Sequence, residues 1–193
     1  HENERAQSMC ANDGEFARYW VHNGFVTVES EKMSKSVGNF LTIRDALKIY
    51  HPEVLRLFLL SKQYRSPLDF SKKDVEGLQS GLVRIYRTLQ RLNDLLGPNE
   101  AETISTGEAT SPGDFFEKFT EIMDDDLNTA GALGLIFEKV REMNRLMDPE
   151  NEGPSEDTLR RLKSDRSQVL RAGDILGLFH ETPAAFFEQL AGP

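Results

Sequence analysis

Across residues 75–96 the apolar side chains fall at Val75, Leu78, Leu82, Ile85, Leu89, Leu92 and Leu96, every three or four positions, the spacing that gathers them on one helix face. Ser71 with Asp74 reads as a capping box before this stripe and Gly97-Pro98 as a stop after it, so the pattern predicts one long amphipathic helix. Similar stripes predict helices over Asp114 to Met123, Ala130 to Met147 and Glu156 to Leu176, with Ser111-Pro112, Thr129 and Ser155 near their starts. A last short helix begins at Thr182-Pro183 and should bury Phe186, Phe187 and Leu190. Amphipathic helices hide their stripes against one another, so residues 71–193 are expected to form an antiparallel helical bundle. Between its members, residues 99–113 are dominated by Thr, Ser, Glu, Gly and Pro and read as a flexible loop.

The pattern before Ser71 is less regular. Asn3 to Trp20 is helix-compatible but interrupted at Asn12-Asp13-Gly14. Trp20 to Val28, with Val21, Phe25, Val26 and Val28 around Gly24, reads as strand or extended chain. A polar loop is expected from Glu29 to Asn39, and Thr42-Ile43-Arg44-Asp45 carries the pattern of a capping box, which starts a helix directly after it. Pro52 to Leu60 predicts a short buried helix, and Tyr64 to Phe70 reads as irregular chain held by Pro67. One or two strand-like segments cannot make an independent sheet, so residues 1–47 look like part of something larger.

Composition changes this picture little. A 38% hydrophobic and 28% charged chain is that of a folded protein rather than a disordered tail. The net charge of −9 argues against indiscriminate nucleic-acid binding, yet the charge is uneven. Residues 1–47 carry 5 Lys/Arg against 7 Asp/Glu, residues 48–91 carry 9 against 4, and residues 92–193 carry 9 against 21. One basic segment thus lies in an acidic chain. The single cysteine, Cys10, excludes an internal disulfide, which makes the cytoplasm the expected compartment, and no apolar run approaches the roughly 18 residues of a membrane span. A membrane partner is not expected.

The candidate chemistry lies in Glu31-Lys32-Met33-Ser34-Lys35-Ser36-Val37-Gly38-Asn39, just before a predicted helix start. Two ammonium groups three positions apart can neutralise a triphosphate as charge develops on it, while serine hydroxyls and loop amides supply oriented donors. It is not a Walker A loop, which needs a Gly-rich stretch ending Gly-Lys-Ser/Thr. A solvated polar turn is the other reading of such a segment.

The string Lys-Met-Ser-Lys-Ser followed by Gly38-Asn39 is similar to the second signature, KMSKS, of class I aminoacyl-tRNA synthetases. Beyond it, His1 to Glu4, Ala6 to Ser8, Tyr19 to Val26, Glu31 to Phe40, Thr42 to Asp45, Tyr64 to Ser71 and Met123 to Thr129 resemble the cysteinyl-tRNA synthetase family specifically. The resemblance covers essentially the whole chain. It implies a mostly α protein: the C-terminal remnant of a Rossmann-like catalytic domain with the KMSKS loop and a stem-contact region over 1–70, then an antiparallel bundle of tRNA-binding type over 71–193.

The same resemblance implies residue roles. Lys35 and Lys32 would be catalytic and would bind ATP with Ser34, Ser36 and His22; Asn23 and Trp20 would lie nearby, although a structural role suits both. The family's zinc, held by two cysteines, a histidine and a glutamate, would find only its glutamate here, as Glu4; the histidine would stand immediately before His1. Cys10 falls outside those positions. Arg65, Lys72, Lys73, Arg84, Arg87 and Arg91 would face tRNA along the stem, and Lys62 lies close by. A solvated helix face for solubility is the plainer reading of that stripe. Asp124-Asp125-Asp126 read as a cap and turn, since consecutive carboxylates do not make a metal cage.

The first signature, of His-Ile-Gly-His type, and both zinc cysteines are absent from the sequence. The expectation is therefore a monomeric piece of a cysteine–tRNA ligase that uses ATP with Mg²⁺, cysteine and tRNA(Cys), inactive in isolation. A cysteine ligase of mycothiol biosynthesis and a non-catalytic tRNA-binding module are the alternatives.

Overall fold

The computed structural model describes residues 1–12, 14, 16–28, 31–32, 42–97, 114–148 and 154–191. In chain order the elements are α1 (Glu2–Asn12), β1 (Val26–Val28), β2 (Glu31–Lys32), α2 (Ile43–Ala46), α3 (Pro52–Leu60), β3 (Leu68–Phe70), α4 (Lys72–Leu96), α5 (Asp114–Asp124), α6 (Thr129–Leu146), α7 (Glu156–Leu176) and α8 (Pro183–Ala191). The loop expected at 99–113 lies outside the described residues.

The long helix α4 runs through the middle of the packing. Its stripe buries Val75, Leu82, Ile85, Tyr86, Thr88, Leu89 and Leu92, and α3, α6, α7 and α8 pack against it. Ser71 starts it as the sequence suggests, its Oγ accepting from the Asp74 N–H at 3.2 Å. Ser155 and Thr182 cap α7 and α8 in the same way, through the N–H groups of Thr158 and Ala185, each at 3.2 Å. Helix α6 differs by one residue: the Asn128 side chain accepts from the Gly131 N–H at 2.9 Å, while the Thr129 hydroxyl turns away to the Leu60 carbonyl at 2.8 Å. At α2 the box closes differently, because Asp45 accepts from the Thr42 hydroxyl at 2.6 Å instead of reaching the Thr42 amide.

A single apolar cluster joins Val54, Leu57 and Phe58 of α3 and Leu68 of β3 to the helices that follow, and closes over Leu178, Phe179 and Phe186. Helix α3 thus shares the interior of the helical region.

The small sheet has the order β2-β1-β3. β1 pairs antiparallel with β2, Thr27 opposite Lys32, and parallel with β3, Val26 opposite Leu68 and Val28 opposite Phe70. The parallel connection carries α2 and α3, as parallel strands require a crossover. Helix α1 ends at Asn12, at the interruption read in the sequence, and the stretch read as strand or extended chain is strand over Val26–Val28; one expectation changes, since Glu31–Lys32, expected as loop, and Leu68–Phe70, expected as irregular chain, are strands. Their pairing to β1 is tertiary, and Pro67 stands just before β3 where no ladder N–H is needed.

Candidate functional site

The sheet determines where the candidate phosphate segment emerges. β1 is held from below by the chain that follows α3: the Gly24 N–H donates to the Tyr64 carbonyl at 2.7 Å and the Leu68 N–H to the Phe25 carbonyl at 2.9 Å. Gly24 is required there, since a Cβ on it would collide with the Ser66 carbonyl. The Thr27 hydroxyl adds a bond to Asp69 Oδ1 at 2.7 Å. The β1–β2 pair so anchored carries the backbone of Lys32. Ser34, Lys35 and Ser36 lie outside the described residues.

His22 lies two residues before Gly24, in an aromatic group with His1 and Trp20. Its ring is 4.9 Å from that of His1 and stacks at 15° on Trp20, 6.4 Å away, while Phe16 meets Trp20 at 5.2 Å. His1, Arg5, Phe16, Arg18, Trp20 and His22 line a recess of about 1010 Å³. Two guanidinium-bearing residues and stacked rings suit an anion carrying a flat ring.

Glu4 lies on α1, which buries no residue. Among the described residues no group of three or more His, Cys, Asp or Glu is arranged to hold a metal, and Cys10 is exposed. Among the described residues, Glu4 has no such companions with which to hold zinc.

On α4, Lys73, Arg84, Arg87 and Arg91 are exposed and fall within an arc of roughly 60° at the helical repeat. Lys72 lies off that arc and pairs with Glu76 at 3.7 Å. Arg91 also ties α4 to α6, donating to Asn144 Oδ1 at 3.0 Å and to the Met147 carbonyl at 3.1 Å. Arg65 pairs with Asp126, its Nε 3.2 Å from Oδ2 and also donating to the Tyr64 hydroxyl at 2.8 Å. That hydroxyl, and then the Asp126 charge, raise the guanidinium above its ordinary pKa.

Two features had no signal in the sequence pattern. One is the convergence on Asp126, whose partners stand about sixty positions earlier in the chain. The other is a buried polar network in which Glu53 accepts from the Tyr86 hydroxyl at 2.6 Å and from the Phe179 N–H, beside His51 bonded to Gln189 at 3.1 Å.

Residues 1–80 match the family described as "tRNA synthetases class I (C) catalytic domain", and residues 118–180 match the "DALR domain". Among curated proteins, the chain is 47% identical over 193 residues to a protein named "Cysteine--tRNA ligase" from Geobacter metallireducens, covering 98% of this chain and 39% of that protein. Similarly named proteins from Pelobacter propionicus and Oleidesulfovibrio alaskensis are 46% and 47% identical, each match covering 98% of this chain and 40% of the relative. The chain thus spans about two fifths of the length of these relatives. Among solved structures, a ternary complex titled LeuRS-tRNA-LeuAMS from Agrobacterium radiobacter matches with a TM-score of 0.57 at 16% identity, over 95% of this chain and 26% of that one. That likeness concerns the fold.

Proposed function

The chain belongs to the cysteinyl-tRNA synthetase family, and from that premise we propose that it is the part of a cysteine–tRNA ligase that grips the ATP phosphates and faces tRNA. The observation that carries this reading is the string from Lys32 to Ser36, entered from a strand that a sheet anchors, within a match that runs almost end to end. We assign the nucleotide side to residues 1–70 and the tRNA side to 71–193.

In the proposed reaction a cysteine carboxylate oxygen attacks the α-phosphorus of ATP, and the bond to the β-phosphate oxygen breaks as pyrophosphate leaves. Negative charge shifts onto the departing phosphates. Lys32 and Lys35 would meet that charge, and donors that tighten as it develops lower the barrier more than donors that bind the ground state equally. Ser34 and Ser36 would add hydroxyl donors, and His22 with Trp20 and Arg18 would flank the nucleoside. A terminal ribose hydroxyl of tRNA(Cys) then attacks the adenylate carbonyl and AMP leaves. Mg²⁺ enters as the counter-ion of ATP.

Lys73, Arg84, Arg87 and Arg91 would neutralise tRNA backbone phosphates, with Arg65 and Lys72 beside them, since such contacts need positive charge along one surface. Glu4 is the one position that the family resemblance assigns to zinc, and the described residues do not complete a site for that metal around it. Among the described residues no helix is long and apolar enough to cross a membrane. A cytoplasmic monomer is part of the proposal.

The test compares acceptors. The complete ligase carrying this chain, given ATP and cysteine, is expected to charge tRNA(Cys) and not an amino sugar, whereas the 193-residue chain alone gives no cysteine-dependent pyrophosphate exchange. Transfer to the amino sugar would reassign the substrate. Exchange by the isolated chain would overturn the division of labour proposed for it.

A further inference from the structure

The turn between α5 and α6 meets the segment 63–65 through a set of hydrogen bonds that converge on one carboxylate. Asp126 Oδ1 accepts from the Tyr64 hydroxyl at 2.8 Å and from Arg65 Nη2 at 3.2 Å, and Oδ2 accepts from Gln63 Nε2 at 3.2 Å. Gln63 Nε2 also donates to the Asp126 carbonyl at 2.8 Å, while Gln63 Oε1 accepts from the Arg65 N–H at 2.8 Å. On the other flank of the same turn, the Thr129 hydroxyl reaches the last carbonyl of α3, that of Leu60.

An exposed Arg–Asp pair on its own contributes little. The backbone separates this case from that one. Asp126 and Leu127 both stand in the left-handed region, at φ 54° and 55°, which aspartate adopts more readily than most residues and leucine seldom does, so the two together mark a sharply defined turn. Of the three consecutive aspartates, the one in this left-handed turn takes the partners from Gln63, Tyr64 and Arg65. Those partners belong to the segment that holds the sheet, because the Tyr64 carbonyl takes the Gly24 N–H and β3 follows two residues after Ser66. From Asp126 to the backbone of Lys32 the path is continuous: Tyr64, Gly24, β1, β2.

We propose that Asp126 is a positioning residue for the ligase reaction: it fastens the α5–α6 turn of the helical region to Gln63, Tyr64 and Arg65, and so sets the sheet that presents Lys32 to ATP. The inference rests on the role given to Lys32 under the proposed function. Its consequence is that the tRNA-facing helices and the phosphate-facing strand share one mechanical link.

Asp126→Ala in the complete ligase should lower kcat of cysteine-dependent ATP–pyrophosphate exchange about tenfold and leave KM for cysteine within about twofold. Asp126→Asn, which keeps the acceptor oxygen, should recover part of the loss. In a Lys32→Ala background Asp126→Ala should cost less than about twofold more, because both changes act through the same contact. In the 193-residue chain, Asp126→Ala should speed amide exchange at Gly24 and Leu68 and leave Leu82 and Ile85 of α4 unchanged. Multiplying losses in the double variant, an unchanged kcat, or faster exchange spread evenly through α4 would each overturn the proposal. A wild-type protein that shows no exchange activity defeats the function assigned to Lys32 instead, and the amide measurement still decides whether Asp126 sets the sheet.

Discussion

Tyr86 stacks on Phe186 with ring centroids 3.9 Å apart and donates its hydroxyl to the buried Glu53 carboxylate. Burial first, and the bond to Glu53 second, raise its pKa well above the ordinary 10.0. The folded state therefore holds this proton more tightly than the unfolded chain. The stability gained is present in full below about pH 10 and is lost as pH rises beyond it. Tyr86→Phe should cost about 1–3 kcal/mol at neutral pH, because it removes one donor from a buried carboxylate. In urea denaturation the gap between wild type and variant should hold constant up to about pH 10 and narrow above it; a gap that stays constant to about pH 11 would contradict the assignment. A backbone case stands nearby. Gly177 ends α7 at φ 67°, and a Cβ there would press into the Arg56 guanidinium, whose Nε holds the Leu176 carbonyl at 2.6 Å. Gly177→Ala should lower stability by roughly 1–2 kcal/mol in the same experiment, and no loss would mean that the turn relaxes freely.

At the scale of elements, α4 presents two faces of different character. One buries the stripe from Val75 to Leu92, and the other exposes Lys73, Arg84 and Arg87. Replacing these three cations by glutamine should leave the helix content unchanged and flatten the dependence of log affinity for tRNA on log salt by roughly 2–3. An unchanged slope, measured by titrating the chain at several salt concentrations, would remove this face from the interface. The helices were legible in the sequence because stripes and caps are local signals, as Ser71, Ser155 and Gly97 illustrate. Of the strands, only β1 was, within the stretch from Trp20 to Val28 that reads as strand or extended chain. β2 and β3 are two or three residues long, polar in part, and formed by pairing to β1, so nothing in Glu31-Lys32 or Leu68-Asp69-Phe70 alone announces them. The candidate site divides in the same way. Lys32, Ser34, Lys35 and Ser36 are candidates on the string they form alone, whereas Asp126 acquires its partners only when the fold brings Gln63, Tyr64 and Arg65 to it.

Over the whole molecule, apolar burial is uneven. The interior runs from α3 to α8, whereas Tyr19, Phe25 and Ile49 remain 88%, 76% and 67% exposed around the sheet and the aromatic group. Among the described residues, the segment from Gln63 to Phe70 joins the small sheet to the helical region. The account as a whole requires that ammonium groups at positions 32 and 35 meet the ATP phosphates during cysteine activation. The direct measurement is single-turnover adenylate formation by the complete ligase with Lys32 and Lys35 both replaced by alanine. A fall in rate of at least about a hundredfold with nearly unchanged cysteine binding is predicted, since the contacts strengthen only as the pyrophosphate departs. A rate equal to that of the wild type would contradict the account.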